Sequence, residues 1–256
     1  MKRTQWLLIP LILGSLSSPL LAADVAVTRI CHENEESYPW ILKDRVGLTT
    51  ALLKLTEKQL GSKLEVLALP WRRCLDEVKS GAIDGIVKIS YSAERAAELA
   101  VYPMVGDKPD ASKRLLNDTY SLYRMKGSAV SWDGKVLKVD GAVGAQSGFS
   151  IVKQLTSLGA KVDDATRSAD DNLKKLVLGR VVAVALQTEE GDISVASNPD
   201  RAKIEKITPV LVEKPYFVAF SKQFHAKEPA HAKKIWDAIA AARESAEYQD
   251  LVKKFK

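Results

Sequence analysis

The sequence predicts an α/β protein of two lobes, each built on a βαβαβ unit, joined by a hinge of two chain crossings. Three observations carry that expectation. Apolar runs of strand period and helix period alternate from residue 24 onward, the alternation recurs downstream with Gly81 and Gly179 in matching places, and a C-terminal helical segment breaks it. Alternation of this kind is the grammar of a parallel sheet covered by helices.

The elements follow in order. "DVAVTRIC" alternates and reads as a first strand, and "GLTTALLKLTEKQLG" sets Leu48, Leu52 and Leu55 at helical spacing. "KLEVLALP" is a second strand ended by Pro70, and "WRRCLDEVKSG" a short helix with Gly81 as its C-terminal stop. "IDGIVKIS" is a third strand, apolar on both faces. The stretch "LDEVKSGAIDGIVKIS" from Leu75 then finds a counterpart in "LKKLVLGRVVAVALQT" from Leu173, preceded by strand, turn and helix in "KVDGAVGAQSGFSIVKQL". "PYFVAFSKQF" is one more strand. After it Ile235, Ala238, Ile239 and Ala242, then Tyr248, Leu251, Val252 and Phe255, fall on helical stripes that need a sheet to cover. A chain that crosses to a second lobe and returns assigns residues 24–117 and 214–256 to lobe 1 and 118–213 to lobe 2. In such sheets ligands bind at the carboxyl ends of the strands, here facing the cleft between lobes.

The N-terminus reads as a targeting segment. Lys2 and Arg3 precede the short apolar run "WLLIPLILG", and Ala22 and Ala23 follow as a cleavage site, so residues 1–23 are expected to be a Sec-type signal peptide. No cysteine stands at the cleavage point, so a lipoprotein is not expected and the product should be free in the periplasm or secreted. With 46% apolar and 27% charged residues, the mature chain has the composition of a soluble globular protein. Its formal charge of +6 includes Lys2 and Arg3, and no dense basic run with interleaved aromatics marks a nucleic-acid surface. In an oxidising compartment the two cysteines, Cys31 and Cys74, suggest one disulfide, the alternative being two buried free thiols. Their spacing fits no zinc site, and neither a metal nor a cofactor is expected.

Six stretches in order, "SYPWILKDRVG", "LPWRRCLDEVKSGAIDGI", "YSAERAAELAVYP", "VGAQSGFS", "LVLGRVVAVAL" and "PYFVAFSK", resemble the landmarks of periplasmic solute-binding proteins of the polar amino-acid type, which serve ABC transporters. The resemblance spans nearly the whole mature chain. It implies a type II periplasmic-binding-protein fold that closes on a small polar solute, acting as a monomer with a permease or a membrane receptor as partner.

The resemblance also implies site residues. Arg95, in the turn after the third strand, stands where the family clamps a ligand carboxylate, and a guanidinium offers the planar fork that a carboxylate fits. A surface arginine paired with Glu94 or Glu98 is the alternative. Tyr38, Trp40 and Trp71 match positions where aromatic rings sandwich the ligand, Trp40 being equally a core residue. Ser90 closes the strand that carries Lys88, and Lys88 with Arg72, Arg73 and Arg95 offers a positive pocket unless these charges are solvated. Ser147 and Gly148 precede a helix and could present a hydroxyl and backbone N–H groups, or simply cap it. Gln187 stands where the family places an aspartate for an α-ammonium, and a neutral amide cannot supply that charge. Glu189 and Glu33 are the substitutes to consider.

An enzyme on the same scaffold, a dehydratase or lyase, and a ligand sensor are the other classes to weigh. No GxSxG, HExxH or phosphate loop occurs, and His32, His225 and His231 do not cluster in sequence, so catalysis is not expected.

Overall fold

The computed structural model describes residues 27–255; the expected signal peptide lies outside the described residues. The chain opens with β1 (Val27–Glu33), α1 (Leu48–Leu60), β2 (Lys63–Leu69), α2 (Trp71–Ser80), β3 (Gly85–Ser90), α3 (Ala93–Glu98) and β4 (Ala100–Val101). A hairpin of β5 (Met104–Val105) and β6 (Lys108–Pro109) leads into the long β7 (Leu116–Met125), followed by a second small hairpin, β8 (Ser131–Trp132) and β9 (Leu137–Lys138). Then come β10 (Ala142–Gln146), α4 (Ile151–Ser157), β11 (Lys161–Thr166), α5 (Ala169–Val177), β12 (Ala183–Gln187) and α6 (Thr188–Ser197). The chain returns along β13 (Ile204–Ser221) and ends in α7 (Lys222–Lys227), α8 (Pro229–Glu244) and α9 (Ala246–Lys253).

The internal repeat has a structural counterpart. In the first half β2, β1 and β3 lie side by side and parallel, with β13 antiparallel beyond β3. In the second half β11, β10 and β12 take the same order, with β7 antiparallel beyond β12. Each half thus places its first strand in the middle and its second at the edge. Gly81 and Gly179 both adopt left-handed backbone, with φ of 79° and 67°, where a helix turns back into a strand.

The halves are linked through β7 and β13, which pair antiparallel with each other. Hydrogen-bonded ladders therefore run from β11 to β2 in one path through these two strands. β7 pairs with β12 over Tyr120–Arg124, whereas β13 pairs with β3 from Tyr216 onward. The β7–β13 register breaks between Ile207 and Val212, around Pro209, which has no N–H to give a ladder. Sequence reading recognised only the apolar end of β13 as a strand. The earlier residues, Ile204–Glu213, are rich in charge and alternate in burial because that part of the ladder lies near the surface.

Packing follows most of the predicted stripes, though in α1 Leu55 is only half-buried and Leu53 is buried instead. α1 buries Leu48, Leu52 and Leu53, stops at Gly61 with φ 63°, and lies against α8, which buries Ile235, Trp236 and Ile239. All six residues of β3 are buried, as its two-faced apolar pattern requires. Cys31 and Cys74 form a disulfide between β1 and α2. Around it pack Val78, Ile86, Ile89 and Phe217, all inaccessible to solvent.

Candidate functional site

Four strands point their carboxyl ends at one cleft. Glu33 ends β1, Ser90 ends β3, Gln146 ends β10 and Gln187 ends β12, and all four line it. β7 and β13 add Tyr120 and Tyr216 to its floor, and Trp71 and Phe149 form one wall. The space, counting what opens to solvent, is about 470 Å³.

Arg95 is the third residue of α3, a helix whose N-cap Ser92 accepts from the Arg95 N–H at 3.2 Å. That cap turns the side chain back over the end of β3. One terminal nitrogen donates to the Ser90 carbonyl at 3.0 Å and the Ser90 hydroxyl at 3.1 Å, and the other to the Gly148 carbonyl at 3.1 Å. The guanidinium carbon lies 5.7 Å from the Trp71 ring centre, a cation–π distance. The glutamates beside it look elsewhere: Glu94 pairs with Lys153 and Glu98 with Lys79. Among the described residues no carboxylate is ion-paired with Arg95. On its outer side Lys214 donates to Ser150 at 3.2 Å, and burial together with Arg95 lowers the Lys214 pKa to about 8. Lys214 was not singled out by sequence reading, because its neighbours "VEKPY" carry no signal beyond a strand approach.

Lys88 enters the cleft by a different device. Its φ of 58° is left-handed, where the β3–β13 register slips between Phe217 and Ala219. A bulge of this kind re-aims a side chain that the pleat would otherwise bury. The ammonium donates to Gln187 Oε1 at 2.6 Å and Ser37 Oγ at 2.7 Å, and pairs with Asp118 at 3.4 Å. Gln187 is equally engaged, accepting from Ser37 at 3.0 Å and donating to Tyr216 at 3.0 Å. Burial pushes the Asp118 carboxyl up, and Lys88 opposes the rise.

The remaining expected residues are placed as follows. Trp71, at the start of α2, is buried; its N–H donates to Glu33 at 3.0 Å and its indole nitrogen to the Gly148 carbonyl at 3.2 Å. Gly148 has a φ of 75°, and a Cβ there would stand 3.2 Å from the Trp71 ring. Its carbonyl, rather than its N–H, thus faces Arg95 and Trp71. Ser147 donates its N–H to the Thr166 carbonyl at 2.8 Å and accepts from Arg72 through its hydroxyl at 2.7 Å, outside the cleft lining, while Ser150 lines the cleft. Tyr38 meets Phe255 in a tilted ring contact at 6.0 Å with Arg45 over its ring, and Trp40 packs against the larger core; neither lines the cleft. Arg72 pairs with Asp164 and Arg73 with Glu77, both largely in solvent. Glu189 is exposed, whereas the next residue, Glu190, is buried in the cleft wall with its carboxylate accepting from Gln146 at 2.8 Å. Burial raises the Glu190 pKa to about 7. Sequence reading did not single it out, because Glu189 and Glu190 both lie in the first turn of α6.

This arrangement defines a class: a two-halved α/β binding protein whose cleft is closed by contacts from both sides. A family model for bacterial extracellular solute-binding proteins, family 3, matches residues 34–256, and the chain belongs to that family. A search of curated protein sequences gave no match. Among solved structures, the chain is similar to an ancestral arginine-binding protein bound to glutamine, with 21% identity, a TM-score of 0.69, and 90% of this chain and 97% of that chain covered. It is similar also to the GluR0 ligand-binding core from Nostoc punctiforme in complex with L-glutamate, at 16% identity and a TM-score of 0.67 over 89% and 98% of the two chains. A histidine kinase sensor domain with similarity to periplasmic binding proteins gives 14% identity and a TM-score of 0.71 over 90% and 95%. The fold is the type II periplasmic-binding-protein fold. No described helix is long and apolar enough to cross a membrane.

Proposed function

We propose that this extracellular solute-binding protein captures a small polar solute bearing a carboxylate, an amino acid or a related acid, and presents it to an ABC importer by closure of two lobes. Residues 24–117 and 214–256 form lobe 1 and residues 118–213 lobe 2, with β7 and β13 as the crossings. The targeting segment read at 1–23 directs a monomeric protein to the periplasm. The observation that carries the reading is Arg95: a half-buried guanidinium at a strand end, free of any carboxylate among the described residues and reinforced by Lys214. Such a cation gains most from an anionic ligand, since its fork binds a carboxylate bidentately. Trp71, Phe149, Tyr120 and Tyr216 supply flat apolar walls, Ser90 holds the guanidinium, and Lys88 with Gln187 forms the polar back wall. The glutamine, glutamate and arginine bound in similar solved structures support an amino-acid-like solute. Likeness to a histidine kinase sensor domain supports, as second reading, handing the bound state to a membrane receptor.

A thermal-shift screen of amino acids, di-acids and amines tests this. Ligand at about 100 times its dissociation constant adds roughly 2.7 kcal/mol to stability. At least one carboxylate is expected to raise the unfolding temperature, and a response confined to amines lacking a carboxylate contradicts the reading.

A further inference from the structure

We propose that Phe255, together with Arg45, is a positioning residue for the cleft: it holds residues 34–47 so that Ser37 meets Gln187 on the opposite half. This rests on the reading that the cleft closes on a solute. Neither Phe255 nor Arg45 lines the cleft itself.

The segment to be held joins β1 to α1. Apart from one β-bridge it has neither helix nor strand, yet it sends Glu35, Glu36, Ser37 and Ile41 to the cleft. Its internal tie is a tight turn, in which Ser37 and Ile41 exchange backbone hydrogen bonds at 2.8 and 2.9 Å around Tyr38, Pro39 and Trp40. On one side the turn is fastened to the start of α1, since Leu48 donates to the Pro39 carbonyl at 3.0 Å and Thr49 to the Trp40 carbonyl at 2.9 Å. On the Tyr38 side the fastening is to Phe255. Ser37 needs it, because its hydroxyl donates to Gln187 Oε1 at 3.0 Å and accepts from Lys88 at 2.7 Å. Bonds of this kind weaken steeply once distance or angle slips.

Phe255 stands just past α9, and with Tyr248, Leu251 and Val252 it packs against the larger core. Three different interactions reach from it to the turn. The Tyr38 hydroxyl donates to the Phe255 carbonyl, a long bond at 3.3 Å, and the two rings meet tilted with centres 6.0 Å apart. The Arg45 guanidinium lies 5.9 Å from the Tyr38 ring centre and 5.8 Å from that of Phe255. Arg45 is exposed and has no ion pair among the described residues, so its place over both rings follows from attraction to their π-systems. A residue that only filled the edge of the core would need apolar volume alone. This one engages a phenol and a cation on the segment that lines the cleft. Consecutive residues divide the work: Ser37 faces the cleft and Tyr38 faces Phe255, so fixing one fixes the other.

The test uses the full mature chain with Phe255→Leu, which keeps apolar volume, Phe255→Tyr, which keeps the ring, and Arg45→Gln, which alters only an exposed side chain. Amide hydrogen exchange followed by NMR, without solute, reads the turn directly. Exchange at the Ser37 and Ile41 N–H groups should quicken at least about fivefold in Phe255→Leu and Arg45→Gln but not in Phe255→Tyr, while the amides of α1 keep their protection. Calorimetric titration with the L-amino acids and the straight-chain dicarboxylates from malonate to adipate reads the cleft. Whichever of these binds wild type should bind Phe255→Leu and Arg45→Gln about tenfold more weakly, and Phe255→Tyr as wild type. In a Ser37→Ala background Phe255→Leu should cause no further loss of affinity, because the contact it secures is already gone. Additive losses would mean a merely structural role and overturn the proposal, as would unchanged exchange or unchanged affinity in both variants. If no probe binds wild type, the carboxylate-solute reading is overturned instead, and the exchange rates at Ser37 and Ile41 still decide for or against Phe255.

Discussion

Lys88 shows how one residue can be structural and functional at once. Its left-handed backbone costs on the order of 1–3 kcal/mol for a residue other than glycine, and its ammonium is almost fully buried. What offsets these is a complete set of partners in Ser37, Gln187 and Asp118. Removing one member of a buried ion pair typically costs about 3–5 kcal/mol, because the other is left charged and dry. Lys88→Met should therefore lower stability in urea by about that much, and adding Asp118→Asn should recover part of it. A loss under about 1 kcal/mol would show that water reaches Asp118 in the variant. Glu190 makes a pH-dependent prediction. Burial raises its folded pKa to about 7, above the ordinary glutamate value. The folded state thus binds its proton more tightly than the unfolded chain, so this contribution to stability is full below about pH 4 and is lost as pH rises through about 7. Wild type should lose on the order of 2–3 kcal/mol relative to Glu190→Gln between pH 5 and pH 8. Denaturation curves at those two pH values should diverge, and parallel curves would contradict the assignment.

At the scale of elements, the disulfide ties the end of β1 to α2 and so fixes Glu33 against Trp71. Cys31 and Cys74 are 43 residues apart, and closing a loop of that length stabilises by up to about 4 kcal/mol in the chain-entropy model. Replacing both with serine should shift the urea midpoint accordingly, and an unchanged midpoint would mean the loop is already ordered in the unfolded ensemble. Most elements were legible in the sequence because local rules and tertiary demands agree there. Gly81, Gly179, Pro70 and the leucine stripes of α1 all mean in the fold what they mean locally. Less legible was what tertiary pairing alone decides. Ile204–Glu213 is a strand because β7 lies beside it. Arg95 was singled out by its place and type, and Trp71 by its place after Pro70, both with the resemblance, and both line the cleft. Glu190, which lines the cleft, was not singled out. Glu190 differs from its exposed neighbour Glu189 only by which side of α6 it occupies, and no pattern as short as "QTEEGD" fixes that phase. Gly148 was read as an N–H donor, but backbone direction in a left-handed turn is set by the contact with Trp71.

For the molecule as a whole, the cleft is bridged by direct contacts: Arg95 and Trp71 to Gly148, Ser90 to Ser150, Lys88 and Ser37 to Gln187, and Arg167 to Glu33. All of them join the β3 side to the β12 side, while the covalent links between sides run through β7 and β13. A solute favours this arrangement only by touching both sides better when they are together. Trp71 sits at that junction, its indole nitrogen bonded across it. Saturating solute should change its fluorescence, the change being absent in Trp71→Phe; an unaltered spectrum at proven saturation would place closure elsewhere. The central claim is the carboxylate on Arg95, and it is tested most directly by calorimetric titration of wild type and Arg95→Ala with whichever carboxylate the thermal screen selects. Arg95→Ala should lose about 2–5 kcal/mol of binding, with an unfolding midpoint close to wild type. Binding by Arg95→Ala within about twofold of wild type, well under 1 kcal/mol, would contradict it.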